Sequence, residues 1–331
     1  MSKEISKKEA IEKHFYSTNM TRADFERENW ENYGYQDLAN FHRQMSRWGI
    51  SVKKRSEHWK QTRPSAKIES FNLDELDSFG IEPGIGKEYT SARLPDYLKK
   101  IGILSDIHVP FHSLEALTCA IKYLRDQEID CLYLNGDTFD FYSISRHEKE
   151  KDLRDFPREI EMARNFLQKL RDIFPLIPIY FKAGNHENRF QRYLFSQAEE
   201  FAGLHELQFD KFFRMDHLKI EWVEDWQGMF MGDLLVIHGH EGFGVGGINP
   251  SQSLFNKMFC NTLMGHVHRQ TTTTKKNGYG ELIQTHSTGC LTTIAPKYMP
   301  YNQHTQGFAL VEINEGKSKV KLISIRDGKI Y

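Results

Sequence analysis

The sequence predicts an α/β layered domain whose strands feed loops at one edge, preceded by a small helical unit. Three observations predict it. From about Tyr97, short apolar runs alternate with amphipathic helical stretches in the order β-α-β-α-β. Five short motifs rich in histidine and aspartate follow apolar runs, where a strand ends and a loop begins. Before residue 65 the apolar spacing is helical only.

In chain order, Ser6 to Tyr16 is a short helix, and Thr21 opens a second with Asp24 in a loose capping box. The third runs from Gln36 to Trp48, with Leu38, Phe41, Met45 and Trp48 at helical spacing and Gly49 as its stop. The basic stretch Lys53-Lys54-Arg55, then Lys60 and Arg63, follows. Residues 1–64 thus form a helical unit, either helix-turn-helix-like or a cap on the main domain, and the residues leave both open. Residues 65–96 hold Pro83, Gly84 and Gly86 without sustained periodicity, which predicts a linker or extended wrap.

The main domain spans 97–331. Ile101–Ser105, Cys131–Asn135, Ile177–Lys182 and Leu234–Ile237 are apolar strands; Ser113–Arg125 and Pro157–Phe174 are helices. The second helix has Pro157 near its start and Ile160, Ala163, Phe166, Leu167, Leu170 and Ile173 on its inner side. The tail is β-rich. Gln270–Lys275 and Gly280–His286 flank Asn277-Gly278, a type I′ hairpin signal, and Phe308–Ile313 and Lys319–Ile325 flank Glu315-Gly316.

Composition bounds the function. The chain has 331 residues and a net charge of −1, which gives no electrostatic pointer to nucleic acid or membrane. The first seventy residues carry fourteen Lys and Arg against ten Asp and Glu, a net of +4, mild enough for a solvated surface. The cysteines at 119, 131, 260 and 290 form no C-x-x-C pair, which argues against a disulfide framework or zinc ribbon; Cys119 and Cys131 are expected as buried small hydrophobes. With no signal-type segment and no apolar run of about 18 residues, a cytoplasmic protein without a membrane partner is expected; the residues do not set its oligomeric state.

The motifs are Asp106-Ile107-His108, Gly136-Asp137-Thr138-Phe139-Asp140, Gly184-Asn185-His186-Glu187, His238-Gly239-His240 and Gly265-His266-Val267-His268. Asp and Asn oxygens with imidazole nitrogens suit Mn, Fe, Zn or Ni. The one-apart spacing of Asp106/His108 and His266/His268 lets each pair face one side of an extended backbone. Singly, each motif is common in turns or exposed strands; five in fixed order after strands point to two divalent ions and a shared carboxylate.

This set resembles the calcineurin-like metallophosphoesterase superfamily, with its D-x-H, G-D-x-x-D, G-N-H-[DE], later H and G-H-x-H, over roughly residues 101–290. The resemblance implies a β-sandwich flanked by helices. It assigns Asp106, His108, Asp137 and His268 to a first ion, and Asp137, Asn185, His238 and His266 to a second, with Asp137 bridging. Two such ions, about 3.5–4 Å apart, would share a water and lower its pKa, and the resulting hydroxide would attack a phosphoryl group. Manganese is the first expectation, with Fe, Zn or Ni as alternatives. His186 becomes the candidate acid and Asp140 an orienting or capping carboxylate.

Departures narrow the branch. Phe141 stands where protein phosphatases carry Arg, and His186 differs from the G-N-R-D of lipid-precursor pyrophosphatases. Ser105–His108 and Gly136–Asp140 look closest to the nuclease and phosphodiesterase branch, without the long capping domain its exonucleases carry. Arg189 is a candidate phosphate clamp or a surface residue opening a helix over 188–201. His240, in the glycine-rich Gly239–Gly247 loop, is a candidate substrate contact, and Arg146, His147 and Lys149 stand near enough in sequence to reach a phosphate chain. The expected activity is phosphodiester hydrolysis in nucleic acid or a nucleotide. The alternatives are a small-molecule phosphomonoesterase and a DNA-binding protein with a vestigial fold.

Overall fold

The computed structural model describes residues 6–18, 20–53, 86, 90–147, 150–242, 247–296 and 299–331. The chain divides into two compact units, Met1–Gly86 and Lys87–Tyr331.

The first unit holds α1 (Lys7–Ser17), α2 (Arg22–Asn29) and α3 (Leu38–Arg47). Each starts on a polar cap: Ser6 with Glu9 in a complete capping box, then Thr21 and Asp37. Ile11, Phe15, Phe25, Phe41, Met45 and Ile50 make its own small core. Glu26 ties two helices, accepting from Arg22 Nε at 2.6 Å and pairing with His42 Nδ1 at 2.7 Å. The third helix begins two residues later than expected because Asp37 takes the cap, accepting from Asn40 N. Leu38, now in the first turn, is exposed and contributes nothing to the core. Lys54, Arg55, Lys60, Arg63 and most of the expected linker lie outside the described residues.

The second unit is built on two sheets. One has seven strands in the order β13 (Lys329–Ile330), β12 (Lys317–Arg326), β11 (Gln306–Asn314), β2 (Lys100–Leu104), β3 (Cys131–Asn135), β4 (Ile179–Lys182) and β5 (Ile220–Val223). The other has six: β1 (Ala92–Arg93), β6 (Met229–Met231), β7 (Leu234–Val236), β8 (Thr262–Met264), β10 (Leu282–Thr288) and β9 (Gln270–Lys276). β2 to β5 run parallel, and β7 is parallel to β8.

Alternation along the central strands builds the layers. Ile101, Ile103, Cys131 and Tyr133 face Met231, Val236 and Leu263 across the gap between the sheets. Leu104, Leu132 and Leu134 face the other way, onto α4 (Leu114–Asp126) and α5 (Phe156–Ile173). Outside the six-stranded sheet, Leu254 of α8 (Pro250–Met258) packs with Leu235, Ile237 and Met264. Two shorter helices, α6 (Glu187–Gln197) and α7 (Phe209–Phe212), complete the helical shell. The fold is therefore the β-sandwich flanked by helices that the resemblance implied. Each fully buried Leu or Ile in these layers contributes about 1.5–3 kcal/mol.

Several expectations change in detail. The third strand starts at Ile179 rather than Ile177, because Pro178 has no N–H and offers only its carbonyl, to Leu132 N. The 270–286 hairpin closes on a three-residue loop, Gly278–Gly280, with Gly280 at φ 85° and the Asn277 side chain accepting from Tyr279 N and Glu281 N. The two-residue turn with two positive φ angles occurs instead at Glu315-Gly316, at 49° and 76°. Cys131 is buried, but Cys119 is half-exposed on α4. Within the expected linker, Ala92–Arg93 forms β1 beside β6. No helix among the described residues is long and apolar enough to cross a membrane.

Candidate metal centre

Parallel strands place their C-terminal ends together, so the loops after β2, β3, β4, β7 and β8 meet at one edge of both sheets. The first two are zipped: Asp106 N donates to Gly136 O at 3.1 Å and His108 N to Asp137 O at 2.9 Å. The third and fifth approach so closely that only glycine fits at their entry. A Cβ on Gly184 would overlap Asp137, and one on Gly265 would overlap Ser105 and Asp106.

Six of the seven expected ligands converge in two clusters. Asp106, His108 and His268 form one group of ligand atoms and Asp137, His238 and His266 another; His108, Asp137 and His186 form a third that overlaps both. Asp137 is shared. Its Oδ2 lies 3.2 Å from His238 Nε2, 3.9 Å from His108 Nε2 and 3.8 Å from His186 Nε2. His268 Nε2 lies 3.3 Å from Asp106 Oδ1. Asn185 opens the loop after β4, next to His186, whose N donates to Asp137 Oδ1 at 2.9 Å.

The one-apart spacing works for a reason other than the one expected. Asp106, His108, Asp137, His266 and His268 have φ of 54°, 55°, 49°, 66° and 55°, so their backbone is left-handed rather than extended. Such residues carry strain of order 1–3 kcal/mol each, held in place by the surrounding structure. Asp and His are among the residue types that tolerate it.

The donor set fits divalent cations. The Nε2 atoms of His108 and His268 face each other at 3.1 Å, while His108 Nδ1 is turned to Asp140 Oδ2 at 3.1 Å. His238 Nδ1 donates to Asn135 O at 2.7 Å, which turns Nε2 toward Asp137, where a cation would replace the proton that Nε2 otherwise shares with the carboxylate. His238 Nε2 and Asn185 Oδ1 are buried without a hydrogen-bond partner among the described residues. Charge tells the same story. Burial lowers the pKa of His238, yet the Asp137 carboxylate outweighs it and lifts the ring to about 10. Asp137 itself is held well below the usual carboxylate range, with His186 and His238 overcoming burial. The pocket thus calls for positive charge.

The other expected residues line one flank. The Asp140 carboxylate sits between His108 and His186, and its carbonyl accepts from Arg189 Nη1 at 2.9 Å and pairs with His186 Nδ1 at 3.1 Å. Arg189 Nη2 lies 3.0 Å from His186 Nε2, so this guanidinium points into the site and is not a surface charge. His240 is nearly buried, with Nε2 2.8 Å from Asp225 Oδ1. Arg146 and His147 are exposed, whereas Lys149 and residues 243–246 of the glycine-rich loop lie outside the described residues.

Sequence reasoning assigned no role to the groups that hold these loops. Buried Glu187 accepts from Asp137 N, Phe139 N and Gly184 N at 2.9, 2.9 and 2.7 Å, joining two ligand loops. Burial and Asp137 push its carboxyl up to about 7. Glu241 accepts from His238 N and Gly239 N and pairs with fully buried Lys182 at 2.8 Å. Ser105 Oγ donates to Asp106 Oδ2 at 2.6 Å. A usable signal existed for one: a lysine closing the apolar strand Ile179-Tyr180-Phe181-Lys182 demands a buried counter-charge.

The chain is similar to several known proteins. Residues 99–285 match the calcineurin-like phosphoesterase family. The gene 54 protein of Mycobacterium phage L5 is 26% identical over 251 residues, covering 70% of this chain and 95% of that protein. Among solved structures, vacuolar protein sorting 29 from Cryptosporidium parvum aligns with a TM-score of 0.41 at 14% identity, over 71% of this chain and 96% of its own. Yfce, a phosphoesterase from E. coli, aligns with a TM-score of 0.35 at 14% identity, over 70% and 96%. The family match runs through all five motifs and more than half of the chain, which therefore belongs to the calcineurin-like phosphoesterases.

Proposed function

We propose that this metal-dependent phosphoesterase hydrolyses phosphodiesters, in nucleic acid or a nucleotide, with two divalent ions, manganese first among them. The observation that carries the reading is Asp137, common to two of the Asp/His groups. Asp106, His108, Asp137 and His268 would hold one ion; Asp137, Asn185, His238 and His266 would hold the other. When bound, the ions supply Lewis acidity and lower the pKa of a shared water.

The remaining chemistry falls to the flank. His186 is fixed through Nδ1 by the Asp140 carbonyl, with Nε2 directed at the site. Arg189 occupies that Nε2 in the substrate-free arrangement. A phosphoryl oxygen would draw the guanidinium away. The freed Nε2 would take a proton from solvent, favoured because Asp137 and Asp140 outweigh burial and raise the ring's pKa, and would then give that proton to the leaving oxygen. Arg189 is itself partly neutralised by Asp140. So modest a cationic flank suits the single charge of a diester better than the double charge of a monoester.

The test is hydrolysis of bis(p-nitrophenyl) phosphate and p-nitrophenyl phosphate by metal-stripped protein, before and after adding Mn. Expected is Mn-dependent turnover favouring the diester, falling on the order of 10³-fold in Asp137→Asn. Preference for the monoester would overturn the diesterase reading. Silence with Mn, Fe, Zn and Ni would overturn the hydrolytic one.

A further inference from the structure

Trp226 stands at the rim of the second ion group and takes no part in the chemistry above. Its indole packs 4.9 Å from the His240 ring, and that ring lies 5.4 Å from His238 and 6.5 Å from His266, centroid to centroid. The side chain is 40% exposed. Its backbone is left-handed, at φ 62°, a conformation that bulky residues seldom adopt.

Asp225 imposes that conformation. Its Oδ1 accepts from Trp226 N at 2.9 Å and meets His240 Nε2 at 2.8 Å, while Oδ2 accepts from Asn188 Nδ2 at 2.7 Å. One carboxylate therefore ties the Trp226 turn to the first turn of α6, which follows Asn185, and to the loop after β7, which carries His238. Strain of this kind persists only where neighbours over-determine it, and it gathers at ligand-binding positions.

We propose that Trp226 is a stacking platform for a nucleobase of the substrate, beside the second ion group. This rests on the phosphodiesterase reading and narrows its substrate class to nucleotides or single-stranded nucleic acid. An aromatic face accepts any base, because every base has a π surface, so the platform confers base binding without sequence preference. His240, packed against the indole, supports it.

Two diesters with one leaving group test this: thymidine 5′-(p-nitrophenyl phosphate) and methyl p-nitrophenyl phosphate. For the Mn-loaded protein, the ratio of kcat/KM values, nucleoside over methyl, is expected to fall about tenfold in Trp226→Leu and to survive in Trp226→Tyr. An unchanged ratio in Trp226→Leu overturns the platform. A second readout needs no turnover. Thymidine monophosphate should quench the intrinsic fluorescence of the Mn-loaded protein, and the quench should vanish in Trp226→Tyr. If neither ester is cleaved, the phosphodiesterase reading fails, and fluorescence decides the platform alone. A quench lost with Trp226 supports it; no quench, or one that survives Trp226→Tyr, overturns it.

Discussion

The two Asp/His groups of the candidate metal centre use the same residue types, yet they are held by different means. Around His238, the supports are buried: the Asn135 carbonyl, the Glu241 carboxylate on two backbone amides, and Lys182 behind it with no exposed surface. Around His108, the Asp140 carboxylate lies somewhat nearer water, its side chain 14% exposed against 10% for Glu241, and among the described residues no lysine stands behind it. A buried, charge-paired support cannot relax without disturbing the fold. A partly hydrated one can. On the two-ion reading, ion binding at the second group is expected to be coupled to folding, and at the first to be tuned by side-chain orientation.

The strongest way to break this comparison is Lys182→Met. Removing the ammonium leaves Glu241 charged and buried, a situation that costs about 3–5 kcal/mol. Urea unfolding of the metal-free protein should show that loss, and Lys182→Met with Glu241→Gln should recover much of it. A single variant as stable as the parent would mean that the pair is dispensable and the two halves equivalent. Asp140→Ala acts on the other half, where it frees the Nδ1 of His108. Mn titration by calorimetry should show one of two affinities weakened about 10–100-fold, with unfolding scarcely moved. Equal weakening of both would erase the distinction.

Much of this centre was legible in the sequence, for a physical reason. Ligands at strand ends announce themselves as short polar motifs after apolar runs, and the glycines within them mark close backbone approach. The left-handed backbone at Asp106 and His268 was not legible, because it is imposed by neighbours distant in sequence. The supports share that property. Glu187 acts 50 residues away on Asp137, and Asn135 acts 103 residues away on His238. The strand delivering His266 and His268 has only three residues, too few to show periodicity. The hairpin at 277–281 misled because Asn277 spends its side chain on its own loop, which favours a longer turn.

A last effect separates the ion groups from the sheet that carries them. His286 on β10 is buried, with Nδ1 3.1 Å from Thr272 Oγ1 of β9, and burial pushes its pKa down to about 4. An unfolded chain protonates this ring near the ordinary value of about 6.5. As pH falls from there, the unfolded state binds the proton first. Stability is therefore full above about 6.5, declines on the way to about 4, and changes no further below it. His266 is also pushed down to about 4, by burial and by His238, so the metal-free site titrates over the same window. His286→Gln keeps a hydrogen-bonding partner for Thr272 and removes only the sheet's share, on the order of 2–3 kcal/mol. Urea midpoints of metal-free protein at pH 7.5 and 4.5 should lie closer together in the variant, and the gap that remains belongs to the ion groups. An unaltered gap would mean that the sheet histidine keeps its proton when folded, and that acid destabilisation arises at the metal centre alone.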